Sequence, residues 1–148
     1  MGRSLRLAAT LFALGFASIS ASGQDAPPNA GTPVTVWDGV YTKEQADRGE
    51  SLYTERCAQC HGDGLQGVEA APALTGSVFY DTWNGETLAS LLDRMRTMPP
   101  DKPGSLSRAQ TTDVLAHVLR VGGYPAGAAP LDSAAGALAR ITVRLYKP

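Results

Sequence analysis

Cysteine and histidine are scarce in this 148-residue chain. Cys57 and Cys60 are its only thiols, and His61 and His117 its only imidazoles. That scarcity excludes a four-ligand zinc site, which needs further Cys or His nearby. A thioredoxin-like pair needs a βαβ setting that the sequence does not offer. Charge of one sign is also missing: the net is −1, which argues against nucleic-acid binding as a main role. Neither an internal repeat nor a low-complexity run is present. Only residues 7–21 form a long apolar or small-residue stretch, and about 15 residues is short for a membrane span.

That stretch reads as an address. Arg3 and Arg6 precede it, and Ala21-Ser22-Gly23 follows as a small-residue cleavage site, so residues 1–23 are predicted to be a signal peptide. Without them the chain carries 11 Lys and Arg against 14 Asp and Glu, a net of −3. The predicted location is the periplasm, with no stable membrane span. Residues 24–36, rich in Pro and small side chains, read as a flexible lead-in. Gly and Pro together number 26, so the rest is expected to be one domain with long loops.

The scarce residues are concentrated in one place. Cys57-Ala58-Gln59-Cys60-His61 has the spacing of c-type haem attachment. Two thiols on one helical turn can each add to a porphyrin vinyl group, and the adjoining imidazole is then delivered to the iron. Haem c, one group covalently attached at Cys57 and Cys60 with His61 as an axial ligand, is the predicted cofactor. It would also supply core that a small, loop-rich domain lacks.

Helices bracket this motif. Thr42-Lys43-Glu44-Gln45 reads as a capping box, with Gln45 reaching back to the cap amide. Ala46, Gly49, Tyr53 and Cys57 then share one face. Mid-helix glycine costs about 1 kcal/mol relative to alanine, so Gly49 points to close approach of another helix. Asn84 is the expected cap of a helix through about Arg96, with Leu88, Leu91, Leu92 and Met95 on its apolar stripe. Ser107-Arg108-Ala109-Gln110 opens a last helix that buries Thr111, Val114, Leu115, Val118 and Leu119 and stops at Gly122-Gly123. His117 could face the first helix near Gly49, as packing rather than as a ligand.

Three further positions bear on the iron. Pro72, its φ locked, suits the presentation of a carbonyl to the second ring nitrogen of His61; otherwise it is a loop proline. Met98, followed by Pro99 and Pro100, is the preferred sixth ligand, because electron-carrying haems use a His/Met pair. Met95, His117 and a few lysines are the other candidates. Trp83 either bonds a haem propionate through its indole N–H or simply packs. Trp37 is expected to lie as an apolar patch over the core. Ile141, Val143 and Leu145 alternate with polar residues in a 125–148 tail. With no partner strand evident, that segment is expected to lie along the surface.

Together these residues resemble a class I cytochrome c over residues 37–124. The likeness rests on the Gly49/Tyr53 helix running into the Cys57–His61 motif, on Ala71-Pro72-Ala73-Leu74-Thr75-Gly76, on Met98-Pro99, and on Asp113-Val114-Leu115-Ala116-His117-Val118-Leu119. His117 departs from the pattern, which usually has an aromatic there. The resemblance implies an all-α cytochrome c fold, three to four helices around one covalent haem, with an extended C-terminal tail. It implies Pro72, Leu74 and Trp83 along the haem pocket and His61 with Met98 on the iron. The Val36–Thr42 opening and the tail are similar to bacterial exported cytochromes beside or fused to quinoprotein dehydrogenases. The implied function is single-electron transfer, with no catalytic residue, from such a dehydrogenase to a terminal oxidase or other acceptor. A peroxidase-like enzyme or a diatomic-gas binder would need an open or labile sixth position.

Overall fold

The structure, a computed structural model, describes residues 34–69 and 71–148. The expected signal peptide (1–23) and most of the lead-in lie outside the described residues. Six α-helices form the framework among the described residues. They are α1 (Lys43–Arg56), α2 (Ala58–His61), α3 (Ser77–Trp83), α4 (Leu88–Met95), α5 (Arg108–Val121) and α6 (Ala135–Leu138). A 3-10 turn over Val36–Asp38 precedes α1, and two short strands, β1 (Val34–Thr35) and β2 (Ile141–Thr142), pair in parallel. Among the described residues, no helix is long and apolar enough to cross a membrane.

The two long helices start where their caps predict. Thr42 Oγ1 accepts from the Gln45 N–H at 3.2 Å, and Ser107 forms a full capping box with Gln110. At α1 the second half of the expected box is absent. The Gln45 side chain instead reaches into the tail, where Nε2 donates to the Leu131 carbonyl at 3.0 Å and Oε1 accepts from the Leu131 N–H at 2.7 Å. A buried amide needs both partners, and the Leu131 backbone supplies one of each kind.

α1 and α5 pack across Gly49. A Cβ there would collide with the Asp113 carbonyl of α5 and lie 3.1 Å from the His117 Cβ. Only a residue without a side chain lets the two backbones come so close. Ala46, Tyr53, Val114, Leu115 and Val118 fill the contact on either side and are all buried.

The expected helix from Asn84 to Arg96 starts later, as α4, and Asn84 belongs to the end of the helix before it. Asn84 closes α3, and its Oδ1 accepts from the Leu145 N–H at 3.1 Å. Thr87 is the true cap of α4, accepting from the Ser90 N–H at 3.2 Å. Between them the Gly85 N–H donates to the Val143 carbonyl, and the Val143 N–H to Glu86. The tail therefore engages the backbone of the α3–α4 turn, where the expected helix would have begun.

That tail corrects the expectation of a surface segment without a partner strand. Val34 is in register with Ile141 and Thr35 with Thr142, while Leu131, Leu138 and Val143 are buried in the same core as α1, α4 and α5. Val34 to Val36 likewise belong to the fold rather than to a flexible lead-in, and Val36 is fully buried. Neither 36/37 nor 124/125 marks an edge of the packed unit. Trp37 is half-buried against Tyr124, with ring centroids 4.8 Å apart, and its indole N–H donates to the Arg144 carbonyl at 2.9 Å. Gly39, at φ +66°, meets the backbone of Gly127, and a Cβ on either glycine would run into the other.

Candidate haem site

α1 delivers the motif. Cys57 ends α1, its N–H bonded to the Tyr53 carbonyl at 2.8 Å, and its φ of −123° turns the chain into the single turn of α2. The His61 N–H returns to the Cys57 carbonyl at 2.9 Å, so the two thiols and the imidazole sit on one helical turn. Both thiols are free. Burial, with Cys60 close by, pushes the Cys57 thiol up and keeps it protonated at neutral pH.

After His61 the chain folds back on itself. The Gly67 N–H donates to the His61 carbonyl at 2.8 Å and the Leu74 N–H to Leu65 at 2.8 Å, with Leu65 buried beneath. This loop brings the Pro72 carbonyl within 2.7 Å of His61 Nδ1. A carbonyl only accepts, so in neutral His61 the Nδ1 carries the proton. Nε2 is then left with its lone pair, the form of imidazole that binds a metal. Tyr53 secures the other side, its hydroxyl donating to the Gly62 carbonyl at 2.6 Å. Burial pushes that phenol up to about 12.

Met98 stands in the turn after α4, its N–H bonded to the Met95 carbonyl at 3.0 Å, and that turn is closed by Gly104 bonding back to Arg96 at 3.0 Å. Met95 is half-buried and packs on the core, as its place on the α4 stripe predicts. Among the described residues, Met98 is half-buried without joining that cluster. Leu74 and Trp83 are half-buried at the core margin. Trp83 lies 6.4 Å from the Phe79 ring, and among the described residues its indole N–H makes no hydrogen bond. The helix that carries Trp83, α3, escaped the sequence reading. Its signal was the Val78-Phe79-Tyr80 run just past Gly76, of which Phe79 and Tyr80 are buried.

The donor types suit a haem: paired free thiols and an imidazole with Nε2 left bare share one helical turn, and the chain carries the Met98 thioether in the turn after α4. The family model described as cytochrome c oxidase, cbb3-type, subunit III, matches residues 44–118, just over half of the chain. The chain belongs to the class I c-type cytochromes. That match runs from the start of α1 almost to the end of α5 and takes in Cys57 to His61, Pro72 and Met98. The cytochrome is 32% identical over 107 residues to a thiosulfate dehydrogenase of Stutzerimonas stutzeri (strain A1501). The alignment covers 66% of this chain and 33% of that protein, so the cytochrome spans about a third of the length of this curated relative. Among solved structures, the sulfane dehydrogenase SoxCD of Paracoccus pantotrophus aligns at 23% identity. It covers 60% of this chain and 53% of that one, with a TM-score of 0.42.

Proposed function

We propose that the protein is an exported, periplasmic electron carrier holding one haem c, and that it is not itself an enzyme. Cys57 and Cys60 tether the haem, His61 Nε2 and the Met98 thioether take the two axial positions, and Leu74 and Trp83 line the pocket. The observation that carries this reading is the 2.7 Å bond from His61 to the Pro72 carbonyl, which fixes the tautomer and ring orientation that an axial ligand needs.

Bound haem supplies an iron that cycles between the ferrous and ferric states. The chain's residues then do the rest. Pro72 and Tyr53 hold the His61 segment in place, Met98 would supply a second ligand to the iron, and the half-buried apolar residues would exclude water from it. A thioether opposite imidazole favours the ferrous form relative to two imidazoles. With His61 and Met98 both given to the iron, no position would be left for a substrate, and the partner would be another redox protein. The name of the thiosulfate dehydrogenase relative supports a dehydrogenase as electron donor, and the resemblance to exported cytochromes beside quinoprotein dehydrogenases points to one of that kind. A terminal oxidase or other acceptor stands on the far side.

Mass measurement on denatured holoprotein should find haem retained on the peptide containing Cys57 and Cys60, with no free thiol. The ferric optical spectrum should show the long-wavelength sulfur-to-iron band. Retained haem without that band, together with ready binding of carbon monoxide, would favour the peroxidase-like or gas-binding reading. Free thiols or a Cys57–Cys60 disulfide after maturation would remove the haem assignment altogether.

A further inference from the structure

His117 occupies an unusual place for an ionisable side chain. It is 4% exposed, at the crossing of α5 with α1, and its ring lies 5.3 Å from that of Tyr53. Arg120 Nη2 is 3.0 Å from His117 Nδ1. A guanidinium can only donate, so His117 Nδ1 is the bare acceptor and any proton on the neutral ring sits on Nε2. Arg120 is itself held by two carboxylates of α1, Asp47 through Nη1 and Glu50 through Nη2 at 2.8 Å. The charged and titratable groups around His117 are thus Arg120 and Asp113 on α5, and Asp47, Arg48, Glu50 and Tyr53 on α1. Arg48 is engaged with Asp113 through two nitrogens, at 3.0 and 3.1 Å.

The arrangement tolerates a neutral ring only. A proton on Nδ1 would set two cations face to face in a buried contact and break the bond from Arg120. Burial and then the Arg120 charge lower the pKa of His117 below its ordinary 6.5, with Glu50 opposing in part. From His117 the contact continues through the Tyr53 ring, whose hydroxyl holds the carbonyl of Gly62, the residue after His61.

We propose that His117 is a positioning residue for the axial-histidine segment, seating Tyr53 against the Gly62 carbonyl only while its own ring is neutral, so that acid loosens the seat of the haem motif. The inference rests on His61 being the axial ligand. Its sign follows from linkage. A histidine with a lowered folded-state pKa takes up its proton more readily when unfolded, so its contribution is whole above about 6.5 and is lost as pH falls below it. One such proton changes the folded-to-unfolded ratio by at most about tenfold per pH unit.

The test uses haem-loaded protein and two pH profiles, of the urea midpoint and of the reduction potential, in wild type, His117→Phe and Tyr53→Phe. In wild type both profiles should bend below about pH 6.5. Both bends should vanish in His117→Phe, which keeps an aromatic ring at the crossing but cannot titrate. Tyr53→Phe should keep the bend in the midpoint and lose that in the potential. Should His117→Phe not fold, His117→Gln retains an acceptor for Arg120 and serves the same comparison. A purely structural role would shift the midpoint equally at all pH. Superimposable profile shapes in wild type and the His117 variant therefore overturn the proposal, and an intact potential bend in Tyr53→Phe overturns the route through Gly62. Failure of the underlying haem reading is distinguished by mass, since it would leave haem absent from Cys57 and Cys60 in every variant.

Discussion

Gly49→Ala offers a sharp test of the fold, because two effects of known sign oppose each other there. Helix propensity alone favours alanine by about 1 kcal/mol. Against it, the new Cβ would overlap the Asp113 carbonyl oxygen and lie 2.5 Å from the carbonyl carbon. Ordinary contact begins at 3.4 Å, so α5 would have to withdraw by roughly 1.5 Å to clear the carbonyl oxygen, judged as an overpacked contact between two backbones. The obstacle is helix backbone, which cannot rotate away as a side chain can. Moving it also disturbs the Arg48–Asp113 pair and the His117 contact with Tyr53. Overpacking typically costs about 1–3 kcal/mol, sometimes more, and this geometry belongs at the upper end. The net expectation is a loss of about 1–2 kcal/mol for Gly49→Ala and a larger loss for Gly49→Val. With a urea slope of about 1–3 kcal/mol per molar, the midpoint of the holoprotein should fall by about 0.3 to 2 M. A midpoint that rises, as propensity alone demands, would refute the close crossing.

Other outcomes follow from particular contacts. Met98→Ala should keep its haem, show a lower potential and gain affinity for cyanide or carbon monoxide, whereas Met95→Ala should mainly lower stability; the reverse pattern, read by potentiometry and ligand titration, would transfer the sixth-ligand role to Met95. Gln45→Ala leaves the Leu131 N–H and carbonyl buried without partners, at about 1–3 kcal/mol each, and amide exchange should show the tail around Leu131 opening while α5 stays protected. Tyr53 and Tyr124 are both raised from 10.0 to about 12 by burial. They therefore contribute stability that is whole below about pH 10 and is lost as pH climbs toward 12, and tyrosinate absorbance should rise late, together with unfolding. Gln59, Cys60, Pro72 and Pro100 are exposed and uncharged. Reduction by the natural donor should accordingly depend weakly on ionic strength, and a stopped-flow rate falling by orders of magnitude in salt would show that charge selects the partner.

What the sequence discloses here is local chemistry. Thr42 and Ser107 announce the long helices because a cap and its helix are neighbours in the chain. Gly49 announces the crossing because a glycine inside a helix lacks any local reason. The Cys57–His61 motif and the geometry of Pro72 could be argued from a few consecutive residues. The misreadings all involve distant partners. Asn84 has the chemistry of either end of a helix, and only the pairing of Gly85 and Glu86 with Val143 makes it a terminus. Gln45 sits at the right place for a capping box, yet the Leu131 backbone engages its amide instead. In the tail Ile141, Val143 and Leu145 alternate as a strand does, but the backbones that pair with this segment, at Val34, Gly85 and Glu86, are far away in the chain, so the tail alone does not reveal that Leu131, Leu138 and Val143 are core.

The meeting of Gly39 and Gly127 restricts how this protein can change. Each glycine is the obstacle to the other: a Cβ on Gly39 would lie 3.0 Å from the Gly127 Cα, and a Cβ on Gly127 would lie 3.1 Å from the Gly39 Cα and overlap its carbonyl. Once one substitution has forced the segments apart, the second enters space already opened. The two costs are therefore not additive, and the pair behaves as a single site in a double-mutant cycle. The first change at either glycine therefore carries most of the cost of parting the start of the cytochrome domain from its tail, and the second adds little.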